Sequence, residues 1–265
     1  MRTSNRFFIA LTAFLLLFST TSISQEDERP EYYAVTTLHW NMENENFNMD
    51  EWKAVEKEYH EKVTAKNEYI MNSGYYMHMF TADNRELLFI QSTKNWEGLD
   101  KASKRNFELE EEAWPDKAER EAFMTKRNAY YADFHSDEIY ATLSGAMVLP
   151  EAPTEDMVLY IRKSQRAFPA DGSGEEFNNV RMKFINNVIA KNEHIKAYYP
   201  STHAWGANRS DFIEGFFLNS MGDLDAMFDR SQELMKEGLS EEDGKTFQKY
   251  FNGVHGDYLY SVVVL

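Results

Sequence analysis

The sequence predicts an α+β fold built from two similar halves, each an antiparallel sheet with helices on one face. The first observation is an internal repeat, in which Glu51–Ala82 aligns without a gap with Glu176–Ala207, 125 positions later. The second is the same order of predicted strands and helices in both halves. The third is a hydrophobic content of 43%, enough to form a core. A repeat of this length indicates two copies of a whole domain rather than a stack of short units.

The first 24 residues have the pattern of a secretory signal peptide. Met1–Arg6 is basic, Phe7–Phe18 is an unbroken apolar run, and small residues lead to a cleavage point after Ser24. The alternative is an uncleaved N-terminal anchor, which the apolar run disfavours because it is short for a membrane span. No later stretch has the length and hydrophobicity of a membrane span. We therefore expect an extracytoplasmic protein, in a periplasm or in the medium.

Prolines mark the boundary between the two copies. Leu149–Glu155 contains two prolines and no periodicity, which is typical of a linker. The predicted organisation is a signal peptide over 1–24, a first repeat over 25–149, a linker over 150–156 and a second repeat over 157–265.

Each copy begins with a strand and a helix. Tyr32–Trp40 and Met157–Gln165 are rich in β-branched and aromatic residues, which favours strands. A helical stripe follows in each copy, formed by Trp52, Val55, Tyr59 and Val63 and by Phe177, Val180, Phe184 and Val188.

Two strands, one or two helices and a final strand complete each copy. The predicted middle strands are Tyr75–Thr81, Glu86–Ser92, the segment around His203, and Asp211–Asn219. The predicted final strands are Glu138–Val148 and Tyr258–Leu265, with a tight turn expected at Gly256. This order is the ferredoxin-like βαββαβ arrangement. Since one sheet face stays apolar and uncovered, we expect the two sheets to face each other as a pseudo-dimeric α+β barrel.

Composition excludes several classes of function. The chain has 28 Lys and Arg against 44 Asp and Glu, a net charge of −16, which argues against binding a nucleic-acid backbone. It has no cysteine, which excludes disulfides, thiolate metal sites and thiol nucleophiles.

Two histidines at matched places are the first candidates for a site. His78 and His203 lie on the second strand of each copy beside aromatic residues, Tyr76 and Phe80 in one and Trp205 in the other. Pointing into a cavity between the sheets, they would bind a ligand or act as acid–base groups. The alternative is a structural role, in which each ring bonds to a neighbouring strand or helix end.

Two His–Asp pairs are the second candidates. His135 with Asp137 and His255 with Asp257 stand two residues apart, so each pair shares one face of a strand. They form polar pairs that either orient a histidine or tie a helix to a strand. A metal site needs a third ligand, for which only His39 is suitably placed. Since the second copy has no equivalent histidine, we predict no metal site.

The chain resembles the dimeric α+β-barrel superfamily, which includes antibiotic-biosynthesis monooxygenases and NIPSNAP-like proteins. The resemblance rests on the element order, the repeat, and the His-x-Asp-x-[Ile/Leu]-Tyr sequence in His135–Tyr140 and His255–Tyr260. It implies a barrel with a central cavity, but no catalytic motif transfers residue by residue.

Three functions remain open under this resemblance. The leading one is binding of a small, partly apolar ligand between the sheets. The sequence assigns no cofactor to this function. The alternatives are a cofactor-independent oxygenase or haem-handling enzyme, and a structural envelope module that forms homo-oligomers through its sheet edges.

Overall fold

Within residues 29–265, which a computed structural model describes, eight antiparallel strands close into one barrel surrounded by six helices. The first half consists of β1 (Tyr32–His39), α1 (Met49–Lys62), β2 (Ile70–Phe80), β3 (Glu86–Thr93), α2 (Trp96–Ala113), α3 (Lys117–Asn128) and β4 (Ser136–Thr142). The second half consists of β5 (Val158–Arg166), α4 (Gly174–Asn187), β6 (Ala197–Trp205), β7 (Asp211–Leu218), α5 (Met221–Gly238), α6 (Glu241–Gln248) and β8 (Phe251–Val262).

The strand order is the same in both halves. The first half runs β4-β1-β3-β2 and the second runs β8-β5-β7-β6, and the two join through the pairs β2–β8 and β4–β6. The expected α+β barrel is therefore confirmed. The halves meet edge to edge along these two seams, so the barrel has no free sheet edge.

The final strands differ from the sequence prediction. β4 ends at Thr142 rather than Val148, and β8 begins at Phe251 rather than Tyr258. β8 extends because its first residues find a partner in β5, where His255 pairs with Ser164. The turn expected at Gly256 was wrong, since Gly256 is paired inside the strand and the positive φ of 84° lies at Gly253.

The repeat is also visible in the helix ends. Asn48 caps α1 by accepting a hydrogen bond from the Glu51 N–H, and Ser173 caps α4 by accepting one from the Glu176 N–H, each at 3.0 Å. The matched Asn67 and Asn192 amides are buried and donate to the Ala102 and Met227 carbonyls of the next long helix. These asparagines therefore tie each helix pair together.

Strand alternation divides the core into two layers. Outward residues such as Tyr75, Leu87 and Phe216 pack under the helices, while inward residues form a separate cluster within the barrel. The buried members of the inner cluster are Leu88, Leu159, Ala197, Phe217, Tyr260 and Val262. Since these side chains fill the middle of the barrel, space for a ligand has to be sought near its ends.

The predicted signal peptide lies outside the described residues. Among the helices that are described, none combines the length and the apolar character needed to cross a membrane.

Candidate functional site at one mouth of the barrel

Polar residues concentrate at one mouth of the barrel. β1, β2, β5 and β6 end at this mouth, and β3, β4, β7 and β8 begin there, because neighbouring strands are antiparallel. Five of the seven histidines of the chain stand on or beside these strand ends: His39, His78, His135, His203 and His255. The fold thus gathers residues that are more than 200 positions apart in sequence.

His78 is held in one tautomer by its neighbours. Its Nδ1 lies 2.8 Å from Thr81 Oγ1, and that hydroxyl donates its own proton to the Asp83 carbonyl at 2.9 Å. Since the Thr81 proton is already used, His78 Nδ1–H must be the donor in this contact. In the neutral ring, Nε2 then carries the free lone pair, as a histidine that acts as a base or ligand requires.

An open groove of about 590 Å³ lies beside His78. Met79, Phe80, Thr81 and Ala82 line it on the β2 side, and Gly256, Asp257 and Tyr258 line it on the β8 side. The groove forms at the β2–β8 seam, where β8 continues beyond the last residue of β2 with which it pairs. It joins an apolar wall to hydrogen-bonding groups, as small-molecule sites commonly do.

The other two predicted ligand-binding residues near this seam, Tyr76 and Phe80, differ in how deeply they are buried. Tyr76 faces the barrel interior, where its ring centroid is 6.1 Å from that of Phe217, and burial raises its pKa. Phe80 is 64% exposed and forms the outer lip of the groove. Tyr76 therefore belongs to the packed interior, whereas Phe80 and His78 border the open space.

His203 occupies the matching place at the β4–β6 seam but has the opposite tautomer. Its Nε2 lies 3.3 Å from the Gly206 carbonyl, which can only accept, so Nε2 carries the proton. Trp205, two residues further on, is 67% exposed. The repeat-related histidines are thus brought to one mouth without being equivalent.

An ionic cluster at the β4–β6 side of the mouth was not singled out from the sequence. Lys163 Nζ lies 2.7 Å from Asp211 Oδ2, and 3.2 Å from both Glu138 Oε2 and the Tyr140 hydroxyl. Tyr140 donates to Glu138 at 2.6 Å. We call Lys163, Glu138, Asp211 and Tyr140 the lysine brace, because it links β4, β5 and β7 across the barrel.

The lysine brace holds charged groups in a partly buried setting. Burial acts to lower the pKa of Lys163, but the hydrogen bond to Asp211 and the charge of Glu138 outweigh it and raise that pKa. Burial acts to raise the pKa of Glu138, but hydrogen bonding by Tyr140 and the charge of Lys163 lower it. Both groups are therefore ionised at neutral pH, and their donors and acceptors are already paired.

The first half contains a simpler version of the same contact. Tyr260, which matches Tyr140, donates to Glu86, which matches Asp211. Burial, followed by this hydrogen bond, raises the pKa of Tyr260. Thr37 stands in β1 where Lys163 stands in β5, so this side has no ammonium group to bridge the mouth.

His39 is paired differently from the expectation. Its Nε2 lies 3.6 Å from Asp83 Oδ2, and its ring packs against Phe134 with centroids 4.5 Å apart and an angle of 34° between the ring planes. Hydrogen bonding by Arg85 holds the pKa of Asp83 at about 2. His39 is thus near the β2–β3 turn beside His78 rather than a partner of Asp137.

Both predicted His–Asp pairs form, on the outer face of the strands. His135 Nε2 is 3.2 Å from Asp137 Oδ2, and His255 Nε2 is 3.4 Å from Asp257 Oδ2. Thr36 donates to Asp137 and Tyr160 to Asp257, each at 2.6 Å. These side chains are 40 to 57% exposed. In the part of the chain that the structure describes, no three His, Asp or Glu side chains are grouped to hold a metal ion.

A second cleft, of about 380 Å³, lies between α4 and α6. Its facing charges are already joined, since Lys183 Nζ is 2.6 Å from Asp243 Oδ1. The groove beside His78 is therefore the stronger candidate, because it contains a ring nitrogen with no partner.

One member of the lysine brace, Lys163, stands out in the sequence itself. Glu138, Lys163 and Asp211 all occupy inward positions once the strand register is known. The alternation in β5 places Lys163 on the same face as Leu159 and Ile161, which is unusual for a charged residue. The alternation along β5 therefore marks Lys163 in the sequence, whereas its partners Glu138 and Asp211 follow only from the strand register.

Comparison with known proteins supports the fold. No family model and no curated protein matches the chain. Among solved structures, a variant of chlorite dismutase from Candidatus Nitrospira defluvii superposes with a TM-score of 0.54 at 11% identity, covering 89% of this chain and 93% of its own. A candidate monooxygenase from Lactobacillus acidophilus NCFM gives 0.53 at 12% identity, covering 89% and 94%. An anthrone oxidase-like protein gives 0.50 at 12% identity, covering 90% and 94%. The likeness shows the fold of the dimeric α+β barrels.

Proposed function

We propose that the protein binds a small, partly apolar molecule in the groove at the β2–β8 seam, with His78 as its polar contact. The observation that carries this proposal is the free Nε2 of His78, whose tautomer is set by Thr81 and Asp83. A hydrogen-bond acceptor fixed in this way beside an apolar wall is preorganised for a ligand that donates a proton.

The neighbouring side chains support binding at this end rather than in the middle of the barrel. Leu88, Phe217 and Val262 are buried inside the barrel, so a ligand would find space at the mouth instead. Phe80 at 64% exposure offers an apolar surface at the groove that the folded chain leaves uncovered. A bound molecule that covers this ring would gain about 25 cal/mol per Å² of apolar area removed from water.

Nile red, a neutral apolar dye, is a suitable first probe. We expect saturable fluorescence enhancement and, with histidine labelled with nitrogen-15, a shift of the His78 ring signals alone among the histidines at the mouth. Phe80→Ser should weaken binding, and Phe107→Ser is the matched control, because Phe107 is equally exposed but lies on α2. Absence of saturable binding, or equal shifts at His78 and His203, would refute the proposal.

A second candidate function is a cofactor-independent oxygenase. It is favoured by the free Nε2 lone pair of neutral His78 beside an apolar groove, and by the structural likeness to a candidate monooxygenase and an anthrone oxidase-like protein. His78 would remove a proton from an electron-rich substrate, and the resulting carbanion would reduce molecular oxygen. An apolar, poorly solvated pocket favours such chemistry without a metal.

Anthrone and oxygen provide the test of the oxygenase. One anthrone and one O2 give one anthraquinone and one water, so the rate of quinone absorbance should equal the rate of oxygen consumption. We expect His78→Leu to abolish the enzymatic rate and His203→Leu to retain it. A rate no greater than that of anthrone in buffer excludes anthrone oxidation.

Haem handling requires an axial ligand, and His78 Nε2 at the groove would hold the iron. The iron would supply redox chemistry there. Tyr76, Tyr260 and Val262 fill the space behind His78, so a porphyrin would have to lie in the open groove. Haemin titration should then give a Soret band that His78→Ala removes. If haemin, Nile red and anthrone all fail, the structural envelope role becomes the better interpretation.

We also propose that the chain is exported and cleaved after Ser24. The support is the order of basic, apolar and small residues at the start of the sequence. The test is the N-terminal mass of the protein recovered from the periplasm or medium of an expressing bacterium, where a chain beginning at Gln25 is expected.

A further inference from the structure

Tyr258 stands close to His78 on the neighbouring strand of the groove. His78 pairs directly with Tyr260 across the β2–β8 seam, and Tyr258 is two residues further along the same inward face of β8. The ladder is irregular between His78 and Phe80. Diagonal neighbours of a regular ladder lie about 7–8 Å apart, a distance that long side chains can span together with a ligand group. Both residues line the same groove.

Gly256 determines where the Tyr258 ring lies. A Cβ added at Gly256 would come within 2.6 Å of the Tyr258 hydroxyl and 3.0 Å of its ring. The ring therefore lies back over Gly256, toward the mouth, because this residue has no side chain. The Tyr258 hydroxyl forms no hydrogen bond with the described residues, whereas Tyr140 and Tyr260 donate theirs to Glu138 and Glu86.

We propose that His78 and Tyr258 together select a neutral ring compound that carries both a hydrogen-bond donor and a carbonyl-type acceptor. This inference rests on the proposed binding function of the groove. His78 Nε2 accepts the proton of the ligand, and the Tyr258 hydroxyl donates to its carbonyl oxygen. Asp257 lies in the groove, so a carboxylate ligand meets a like charge there.

The same pair is missing at the other seam. At the shift of 120 positions, Glu138 stands in place of Tyr258 and Ser136 in place of Gly256. Glu138 is already bound by Tyr140 and Lys163, and the His203 Nε2–H is turned to the Gly206 carbonyl. The lysine brace thus occupies the second seam, and the chain has one site rather than two.

Four small probes of similar size separate the contributions. 4-Hydroxyacetophenone has the donor and the carbonyl, 4-ethylphenol has only the donor, 4-methoxyacetophenone lacks the donor, and 4-hydroxybenzoate replaces the ketone by a carboxylate. Displacement of Nile red at pH 7 measures each affinity. We expect 4-hydroxyacetophenone to bind most tightly, at one molecule per chain, by about 2- to 10-fold over each probe that lacks one group.

Variants assign each preference to its residue. Tyr258→Phe should remove the advantage of 4-hydroxyacetophenone over 4-ethylphenol and leave its advantage over 4-methoxyacetophenone. His78→Leu should remove the advantage of 4-hydroxyacetophenone over 4-methoxyacetophenone and leave its advantage over 4-ethylphenol. Gly256→Ala should have the same effect as Tyr258→Phe, because the added methyl group displaces the Tyr258 ring. His203→Leu is the control and should leave all affinities unchanged.

Two results would overturn the inference while leaving the binding function in place. In the first, the protein binds Nile red but has the same affinity for all four probes. In the second, two equivalent ligands bind per chain. A protein that binds neither Nile red nor any probe would instead remove the proposed function itself. A Tyr258→Phe variant that lowers all affinities by one factor would assign Tyr258 to packing.

Discussion

Arg181 in α4 occupies the place that Glu56 occupies in α1, 125 positions earlier, so the two halves carry opposite charges at equivalent buried positions. The two residues are 2% and 1% exposed. Glu56 is bound by Arg127, Tyr75 and Tyr131, whereas Arg181 is bound by Ser144 and Asn178. Each half therefore has its own polar network beneath the equivalent helix.

Glu56→Ala should be strongly destabilising. It would leave the Arg127 guanidinium without its carboxylate in a site where that side chain is only 15% exposed. Breaking such a buried pair costs about 3–5 kcal/mol in free energy of unfolding. Urea unfolding followed by circular dichroism measures the loss.

Glu58→Ala is the matched control for this prediction. Glu58 lies on the same helix and pairs with Lys62 at 2.7 Å, but both side chains are more than 40% exposed. An exposed pair of this kind contributes about 0.3–0.5 kcal/mol. Equal losses of free energy of unfolding in the two variants would show that the buried ion pair stabilises the fold no more than the exposed one.

Lys163→Met should destabilise the barrel because it leaves Asp211, only 1% exposed, without its ammonium partner. The loss in free energy of unfolding should exceed that of the double variant Lys163→Met/Asp211→Asn, because the double variant leaves no buried carboxylate unpaired. Urea unfolding of the two single variants and the double variant gives the coupling. Additive losses would contradict the contact.

The Lys163 variant should also change the response to acid. The folded pKa of Glu138 lies below its ordinary value, so its contribution is fully present above the unfolded pKa of about 4.3 and is lost as pH falls through the folded value. Without Lys163, the free energy of unfolding should fall less between pH 5 and pH 3. An unchanged slope would show that Lys163 does not lower that pKa.

The sequence carried enough information for the fold because its strongest signals are local or repeated. The stripe beginning at Trp52 identifies α1, and the repeat transfers that helix to Phe177 in the second half. The extent of β8 was missed, since the strand partner of His255 is Ser164, about 90 positions away in sequence. Long-range pairing overrode the local turn signal of Gly256.

The site was predictable only in part for a similar reason. Matched positions indicated His78 and His203, yet their tautomers depend on Thr81 and on the Gly206 carbonyl. Lys163 contacts Glu138 and Asp211 from different strands, and no spacing in the sequence records a contact across a barrel. The register of several strands has to be known first.

Alkaline titration should show that most tyrosines ionise only on unfolding. Twelve tyrosines have a raised pKa, among them Tyr33, Tyr75, Tyr76 and Tyr198, and burial is the main cause in each. Their contribution to stability is complete below the unfolded pKa of about 10 and is lost as pH rises beyond it.

Most of the tyrosinate absorbance should therefore rise in one cooperative step that coincides with loss of the circular dichroism signal. In urea, the same absorbance should rise smoothly around pH 10. A smooth rise in the native protein before any loss of structure would contradict the burial of these hydroxyls.

The two repeats should depend on each other for folding. Separating 29–149 from 157–265 would remove the β2–β8 and β4–β6 pairs and expose inward residues such as Leu88 and Phe217. Each fragment alone would present two unpaired sheet edges and an uncovered apolar face. We expect each fragment to self-associate or remain unfolded, and an equimolar mixture to form a one-to-one complex.

Size-exclusion chromatography with light scattering gives the masses of the separate fragments and of the mixture. The control is the whole chain with a protease site placed in 150–156, which should keep its mass and its urea midpoint close to those of the uncut chain after cleavage. This result is expected because the hydrogen bonds at the two seams, and not the linker, hold the halves together. A fragment that unfolds cooperatively as a stable monomer would contradict the closed barrel as the folding unit.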